Sequence, residues 1–266
     1  MVNLPFSIGI LSWKGYDSLL NSLRTYEKNG LSRLTSHRYV CLPEYEKEGI
    51  EIARKFSYEP ILFKKNLGIL GGFKALAEIM PSGPILLLEN DLPLIEDQNV
   101  TFDQIQNSIK LLSNDNVIQV RLRSRKTPGK PFVGTKKYQR YWSNNVMSCI
   151  LRILRPNKAK RLIGTATYVI ENPVRRHPDY IKSLSHSYFS VSSSVLNWAN
   201  LAILVDRDKF LNVIIAKAET VSSNKKINGF KNIEIELNSV WWRKQNFEII
   251  VAPGLFTHFR VSDRGY

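Results

Sequence analysis

Short apolar runs alternate with helix-forming stretches along the first third of the chain. Four runs have the length and composition of buried strands, at residues 6–11, 38–42, 60–63 and 85–88. The stretches between them repeat apolar residues at helical spacing, and the first ends at the stop signal Gly30. This order predicts an α/β fold with a mostly parallel central sheet, right-handed crossovers and flanking helices.

The rest of the chain is less regular. Its pattern predicts helices at 101–112, 146–154 and 207–218, and strands at 117–122, 163–170 and 247–252. No internal repeat, low-complexity tract or clean linker interrupts the 266 residues. We therefore expect a single globular domain with a full core.

Polar residues follow each of the first four predicted strands. Ligands of parallel α/β sheets bind beyond the carboxyl ends of the strands, so we expect these side chains to converge. They are Ser12, Glu44, Asn66 and the pair Glu89 and Asp91.

The acidic pair points to a cation. Glu89 and Asp91 are separated by Asn90 alone and project to the same side of a strand end. Two carboxylates this close repel, and a divalent cation would compensate them because hard cations prefer oxygen ligands. A solvated acidic turn is the alternative.

The charge changes the picture further. A formal net charge of +15 implies an anionic partner, which could be a nucleotide, a phospholipid surface or nucleic acid. Cys41 and Cys149 are too few for a disulfide framework and are predicted to be free thiols in a reducing compartment. We expect a cytoplasmic protein without a signal peptide or a membrane span, with peripheral membrane binding left open.

Three further features could bind anions, and each has a structural alternative. Gly71 and Gly72 could let a phosphate or ribose approach the backbone, or could serve a tight turn. The basic loop 121–130 could hold an anionic acceptor or a diphosphate, or could be ordinary solvated surface. The apolar helix 146–154, with basic residues after it, is predicted as a core helix, and the alternative is a surface helix on anionic lipid.

Three stretches, FSIGILSW, NLGILGGFKALAE and ILLLEND, together resemble the nucleotide-sugar half of GT-A glycosyltransferases, especially family-2-like ones. The resemblance implies a GT-A-like, Rossmann-like sheet. Residues 1–95 would be the nucleotide-sugar-binding half. Residues 96–266 would be the acceptor-binding and catalytic half of the same domain.

The resemblance also implies roles for single residues. Glu89-Asn90-Asp91 takes the place of the DxD motif that holds a metal against the diphosphate, with Glu in the first position as a departure. GLFTH resembles the element that supplies a late metal or diphosphate contact, here His258, and Arg260 and Arg264 could bind phosphate. The remaining nucleotide-sugar contacts would be Ser12, Glu44, Asn66, Gly68 and Gly71.

The acceptor side is implied by a second set of residues. Trp198 with Asn200 is similar in position to an aromatic residue that stacks on sugar, and a core tryptophan is the alternative. Arg123 in the basic loop would contact the acceptor.

The stretch NIEIEL resembles the element whose acid deprotonates the acceptor hydroxyl in inverting enzymes. Glu234 is favoured over Glu236, and the chain is predicted to change from strand to helix between them. An acid that complements the helix dipole is the alternative.

The sequence therefore predicts an inverting glycosyltransferase, a hexosyl- or pentosyltransferase that depends on Mn²⁺ or Mg²⁺. Its donor would be a UDP- or GDP-sugar, and its acceptor a glycan or glycolipid hydroxyl. A basic nucleic-acid-binding protein is one alternative, weakened by scattered basic residues and the lack of a binding motif. A catalytically silent protein of the same fold is the other.

Overall fold

One nine-stranded sheet forms the centre of the molecule in the computed structural model, which describes residues 3–130, 132–222 and 226–261. The strand order across the sheet is β3-β2-β1-β4-β8-β5-β9-β7-β6. The strands are β1 (Ser7–Leu11), β2 (Arg38–Pro43), β3 (Glu59–Phe63), β4 (Pro84–Glu89), β5 (Val117–Arg123), β6 (Ile181–Ser183), β7 (Phe189–Ser192), β8 (Ile203–Asp206) and β9 (Glu248–Phe256).

Helices cover both faces of this sheet. They are α1 (Tyr16–Lys28), α2 (Lys47–Lys55), α3 (Gly68–Ile79), α4 (Gln98–Leu112), α5 (Gly134–Trp142), α6 (Val146–Leu154), α7 (Pro156–Lys160), α8 (Pro173–Arg176), α9 (Arg207–Lys209), α10 (Ala216–Thr220), α11 (Ile233–Leu237) and α12 (Val240–Gln245). A π-helical stretch, Phe210–Ile215, joins α9 to α10, and short 3₁₀ turns lie at Leu31–Arg33, Ile163–Tyr168 and Ser185–Ser187.

The sheet is mixed rather than mostly parallel. Strands β1 to β4 pair in parallel, as the alternating pattern predicts. Beyond β4 the chain inserts β8, which runs antiparallel to both β4 and β5. Among the described strands, four neighbouring pairs are parallel and four are antiparallel. The predicted α/β class is confirmed, and the departure lies in the second half.

Strand β4 shows why the central runs are unbroken apolar sequences. Leu86 and Leu88 face a core that also contains Ile8 and residues of α1, whereas Ile85 and Leu87 face a second core on the other side. All four β4 side chains are fully buried. A strand covered by helices on both faces has no position for a polar side chain until it ends, which here is at Glu89.

The prediction of a strand at 163–170 is wrong. Ile163–Tyr168 forms a 3₁₀ turn in which the Thr167 hydroxyl donates to the Gly164 carbonyl at 2.8 Å. Gly164 also donates its backbone N–H to the Val195 carbonyl at 3.0 Å. Small residues with local hydrogen-bond partners permit this tight winding, which the apolar content of the run does not indicate.

Helix α6 forms where predicted, but it lies on the surface and not in the core. Val146, Met147, Ile153 and Leu154 are between 64% and 77% exposed. Within the described residues, no helix is long and apolar enough to cross a membrane. The alternative placement of this helix, on the outside of the fold, is therefore the one observed.

The arginines of the basic loop point inward. Arg121 and Arg123 are buried, and Arg121 donates to the Gln119 side chain at 3.0 Å. Arg123 donates to the Pro128 carbonyl at 2.6 Å and lies over the Phe132 ring at 4.9 Å. Arg125 donates to the Ser187 carbonyl at 2.9 Å. These side chains fold the loop back on itself, so the alternative that its arginines are ordinary solvated surface is wrong.

We expect Arg123→Glu to lower the free energy of unfolding by about 2–4 kcal/mol, because it places a carboxylate against carbonyl oxygens and removes charged hydrogen bonds. The exposed neighbour Lys126 serves as the matched control, and Lys126→Glu should change stability by less than about 0.5 kcal/mol. Urea unfolding of the two variants measures the difference. Equal midpoints would show that the Arg123 contacts contribute nothing.

Candidate functional site

A cavity of about 250 Å³ opens at the carboxyl ends of β1, β2 and β4. Trp13 and Glu89 line it from the strand ends, and Asn66 and Gly68 line it from the start of α3. The segment 227–232 and Arg260 close it from the C-terminal part of the chain. The sheet edge predicted to bind a ligand is therefore a formed pocket.

Trp13 and Glu44 meet beside this cavity. The Trp13 indole N–H donates to a Glu44 carboxylate oxygen at 2.6 Å. Glu44 has a left-handed backbone (φ 48°), which turns the chain sharply after β2. Ser12, the residue predicted at the end of β1, is fully buried, and its hydroxyl donates to the Lys14 carbonyl at 3.3 Å. The indole of Trp13, not the hydroxyl of Ser12, thus faces the ligand space.

The glycine-rich segment is the beginning of α3 and not a turn before it. The Asn66 side chain accepts the Gly68 backbone N–H at 2.8 Å, and Gly68 has a positive φ of 63°. A Cβ at Gly68 would overlap Phe230, and one at Gly72 would overlap Leu11. Gly71 lies inside α3 and does not line the cavity. Gly68 therefore borders the pocket, whereas Gly72 serves close packing of α3 on β1.

A tight two-residue turn forms the roof of the cavity. Ile227 and Phe230 exchange two backbone hydrogen bonds of 2.9 Å, and Asn228 and Gly229 between them have φ values of 50° and 84°. This is the geometry that an Asn-Gly pair favours. Phe230 packs on Gly68, and Asn232 lines the cavity at the start of α11.

Asp91 lies at 0% exposure behind the cavity and is held by two basic side chains. Arg260 donates to its Oδ2 at 2.9 Å and 3.1 Å, and the His258 Nε2 lies 3.3 Å from the same atom. The hydrogen bond to Asp91 raises the pKa of His258 above its ordinary value, against the effect of burial. The structure thus joins the fourth strand to the late histidine, as the sequence predicts. Arg264 lies outside the described residues.

Asn90 has a structural role between the two acids. Its amide donates to the carbonyls of Lys14 and Gly15 at 2.9 Å and 3.1 Å, and its carbonyl accepts from Ser22 at 2.8 Å. These contacts fix the start of α1 against the end of β4. Asn90 reaches the cavity wall, but its side-chain amide is directed at α1.

The donor chemistry at this strand end fits a divalent cation. Carboxylate oxygens suit Mn²⁺ and Mg²⁺, and imidazole is a common ligand of transition metals. Asp91 Oδ2 and His258 Nε2 are close enough to serve one ion. Among the described residues, however, no three His, Cys, Asp or Glu side chains are already grouped for a metal. The Arg260 guanidinium contacts the same Asp91 oxygen, so an ion bound at this oxygen would compete with Arg260.

The two late glutamates lie on one short helix, α11, and not on a strand-to-helix junction. Asn232 caps this helix by accepting the Glu234 backbone N–H at 2.8 Å. Residues two apart on a helix point in nearly opposite directions. Glu236 is buried, and its carboxylate accepts the Asn232 backbone N–H at 3.0 Å. This hydrogen bond stabilises the N-terminus of α11.

Glu234 faces the arginines of β5. Its carboxylate accepts the Asn200 backbone N–H at 2.9 Å. Burial raises the pKa of Glu234, while that hydrogen bond and the charges of Arg121 and Arg123 oppose the rise. Burial lowers the pKa of Arg123, and the negative charges of Glu234 and Asp91 oppose that decrease. Arg123 is therefore coupled electrostatically to both the candidate base and the candidate metal-binding acid.

Trp198 belongs to the core, which corrects its prediction as a sugar-stacking residue. Its ring is 1% exposed, is stacked with Phe210 at 6.1 Å and has the Trp242 ring edge-on at 5.7 Å. Its indole N–H donates to the Asn200 side chain at 2.7 Å, and Asn200 is 2% exposed. Both ring faces are occupied by protein. Arg123 is likewise buried, so the three predicted acceptor contacts present no exposed surface.

Trp13, Phe230 and Asn232 line the pocket, although the sequence did not predict them as site residues. For two of them the sequence contains a feature that could have indicated a place near the site. Trp13 is an aromatic residue directly after a strand, at the edge where ligands bind. The Asn228-Gly229 pair is a strong sign of a tight turn, which the aromatic Phe230 follows.

We expect Trp198→Ala to lower the free energy of unfolding by about 3–5 kcal/mol, as is typical when a buried aromatic side chain is deleted. Trp13→Ala, the control on the cavity wall, should change stability much less and ligand affinity much more. Thermal unfolding and nucleotide titration of both variants test this. A Trp198→Ala protein of wild-type stability would contradict the core assignment.

Known proteins resemble this chain in structure and not in sequence. No protein-family model matches it, and no curated protein matches it. The mannosyltransferase PcManGT of Pyrobaculum calidifontis, solved with GDP-Man and Mn²⁺, superposes with a TM-score of 0.53 at 9% identity, over 100% of this chain and 59% of that one. S. aureus TarS 1–349 gives a TM-score of 0.52 at 10% identity, over 96% of this chain and 60% of that one.

A third structure is similar. Glucosyl-3-phosphoglycerate synthase of Mycobacterium tuberculosis, in complex with Mn²⁺, UDP and glucosyl-3-phosphoglycerate, gives a TM-score of 0.51 at 10% identity, over 97% of this chain and 72% of that one. The chain spans about three fifths of the length of PcManGT and of the TarS fragment. The likeness extends over nearly the whole described sheet and its helices, and it shows that this chain has the fold of the GT-A glycosyltransferases.

Proposed function

We propose that the protein transfers a sugar from a nucleotide-sugar donor to an acceptor hydroxyl. The observation that carries the proposal is the cavity at the ends of β1, β2 and β4, with Asp91 held by His258 and Arg260 behind it. Two solved structures of this fold contain Mn²⁺ with GDP-Man or with UDP, which supports a metal and a nucleotide-sugar in general. In this proposal residues 1–95 form the larger part of the donor site, which the segment 227–232, His258 and Arg260 complete, and 96–266 also supply the acceptor side and the base.

The donor half is built to hold a nucleotide. Trp13 offers an aromatic face, and Glu44 beside it can accept hydrogen bonds from a base. The start of α3 at Gly68 directs backbone N–H groups and the positive end of the helix dipole towards the cavity. Asn66 and Phe230 border the same space. We propose a UDP- or GDP-sugar in this pocket.

Asp91, Glu89 and His258 would hold a divalent cation, Mn²⁺ or Mg²⁺. Such an ion stabilises the negative charge that develops on the departing diphosphate. Arg260, which now neutralises Asp91, would be released by the ion and become available to a phosphate oxygen.

Glu234 is the proposed general base. Its carboxylate lies in a desolvated position that raises its pKa, which makes it a stronger proton acceptor than an exposed glutamate. A base that activates the acceptor hydroxyl for direct displacement inverts the configuration at the anomeric carbon. Glu236 is less suited because its carboxylate is committed to the start of α11.

A second, larger cavity is the proposed acceptor side. It has a volume of about 870 Å³ and lies between the basic loop at Ser124–Lys126 and the segment 167–171. Tyr168 lines it and interacts with Arg121, which in turn interacts with Glu234. Arg121 thus couples the lining of this cavity electrostatically to the proposed base. A glycan or glycolipid of several rings would fit such a volume.

Asp91→Asn should abolish Mn²⁺-dependent binding of the nucleotide-sugar, because a neutral amide lacks the negative charge with which the carboxylate holds a divalent cation. Calorimetric titrations of UDP- and GDP-sugars with and without Mn²⁺ measure the loss, and circular dichroism checks that the variant is folded. Glu48→Gln, an exposed change on α2, is the control. An unchanged Mn²⁺-dependent affinity in Asp91→Asn would overturn the metal site.

Glu234→Gln should keep donor affinity but reduce transfer by about 10²–10⁴-fold, the usual effect of removing a general base. Glu236→Gln should transfer sugar at close to the wild-type rate, because glutamine can still accept the Asn232 N–H. The wild-type rate should fall as the pH drops through the raised pKa of Glu234, since only the deprotonated acid accepts a proton.

Product assays across pH 4–8 on these two matched variants test the assignment. If both transfer sugar at wild-type rates, neither glutamate is the base. If wild-type protein binds the donor with Mn²⁺ but never turns over, the protein is a silent member of the fold.

A further inference from the structure

The exposed face of α6 is apolar, and its polar side faces the protein. At about 100° per residue, Val146, Met147, Ile150, Ile153 and Leu154 form one stripe roughly 120° wide. All five are between 42% and 77% exposed. Ser148, on the other side of the helix, is 2% exposed. This is the reverse of the arrangement that a helix on the surface of a globular protein normally shows.

The packing beneath α6 holds this face outward. Asn145 caps the helix by accepting the Ser148 N–H at 2.7 Å, and the Ser148 hydroxyl donates to the Arg140 carbonyl at 3.1 Å. Arg152 donates to the Tyr141 carbonyl at 2.7 Å and covers the Trp142 ring at 5.3 Å. The polar residues of α6 are therefore already used in contacts with α5, and rotating the helix inward would break them.

The helix beneath is anchored in turn. Trp142 donates to the Ala159 carbonyl at 3.1 Å, and the Tyr138 hydroxyl is 2.8 Å from His177 Nε2. Helices α5, α6 and α7 thus form one platform, with the apolar stripe as its outer face.

The excess positive charge of the chain surrounds this platform. Residues 116–170 contain thirteen Lys and Arg and no Asp or Glu, so this segment accounts for most of the net charge of +15 of the whole chain. The arginines of β5 and the loop after it are turned inward, as described above. The basic side chains that remain exposed lie on α5 and on α7 and its flanks, and they are Lys136, Lys137, Arg140, Arg155, Lys158, Lys160 and Arg161.

We propose that α6 and these basic residues form a docking surface for an anionic phospholipid bilayer. An aliphatic stripe bordered by Lys and Arg complements the two layers of such a surface, the acyl chains and the negatively charged headgroups. The helix would lie in the plane of the interface, with the apolar side chains among the acyl chains and the basic residues at headgroup level.

Other occupants match this surface less well. A second copy would bring two sets of positive charges face to face, which costs free energy. Single-stranded nucleic acid uses aromatic side chains for stacking, and the exposed stripe contains none. The lipid proposal is independent of the proposed sugar transfer, because none of its residues lines the donor cavity.

Vesicle co-sedimentation of the 266-residue chain tests the proposal. The probes are phosphatidylcholine vesicles with and without about one third phosphatidylglycerol. We expect binding to the anionic vesicles only, with affinity falling as salt rises from low to physiological concentration because exposed charges are screened.

Two double variants separate the two parts of the surface. Ile153→Ser with Leu154→Ser and Lys158→Glu with Lys160→Glu should each lower the vesicle partition coefficient at least tenfold. The matched controls are Val240→Ser, whose side chain is 61% exposed elsewhere, and Lys47→Glu with Lys55→Glu on α2. The controls should bind vesicles like the wild type, and all four variants should keep the wild-type melting temperature and nucleotide affinity because the changed side chains are exposed.

Three results would overturn the proposal. One is wild-type vesicle binding by the Ile153/Leu154 variant. Another is equal or absent binding of the wild type to both kinds of vesicle. The third is a dimer, or a complex with an RNA or DNA oligonucleotide, that the Ile153/Leu154 change abolishes while vesicle binding stays undetectable. Light scattering after size-exclusion chromatography and a fluorescence anisotropy titration detect these complexes.

Discussion

The buried carboxylate of Asp91 is the constraint on which the site depends. A carboxylate at 0% exposure is costly unless opposite charge and hydrogen bonds compensate it. Here the compensation comes from His258 and Arg260, which follow β9 at the far end of the sequence. The Asp91 carbonyl also accepts the Phe259 N–H at 2.9 Å, so backbone and side chain together tie the end of β4 to the chain after β9.

This junction also positions the basic loop. His258 donates its backbone N–H to the Pro128 carbonyl, and its carbonyl accepts the Lys130 N–H. Gly129 has a positive φ of 74° at this point, and a Cβ there would overlap the His258 backbone. The Arg123 side chain donates a hydrogen bond to the Pro128 carbonyl of the same loop. The cavity, the late histidine and the loop are therefore parts of one packed unit, although their residues are far apart in the sequence.

Much of the donor side could be predicted from the sequence, because parallel strands with unbroken apolar runs leave little freedom. The ends of β1, β2 and β4 converge as the pattern indicates, and Asn66 and Gly68 border the pocket.

The arrangement of the second half could not be predicted from the sequence. β8 lies between β4 and β5 in the sheet, although it begins about 80 residues after the end of β5. Its four residues do not indicate which strands it pairs with. Arg121 and Arg123 look like surface residues in sequence, yet backbone carbonyls and neighbouring side chains pair them inside the fold. Trp198 illustrates the same difficulty, since only tertiary packing distinguishes a core ring from a ligand-binding one.

The position of β8 has a consequence for the synthesis of the protein. Strands β1 to β4 can pair before the rest of the chain has been made, because they pair with one another within the first 89 residues. The free edge of β4 then waits until residues 203–206 have been made, and β5 cannot join the sheet before them. During that interval a fully apolar strand presents unpaired backbone groups, which is the state in which nascent sheets associate wrongly. A chain of this topology should therefore depend on chaperones, or on slow translation, more than its size alone suggests.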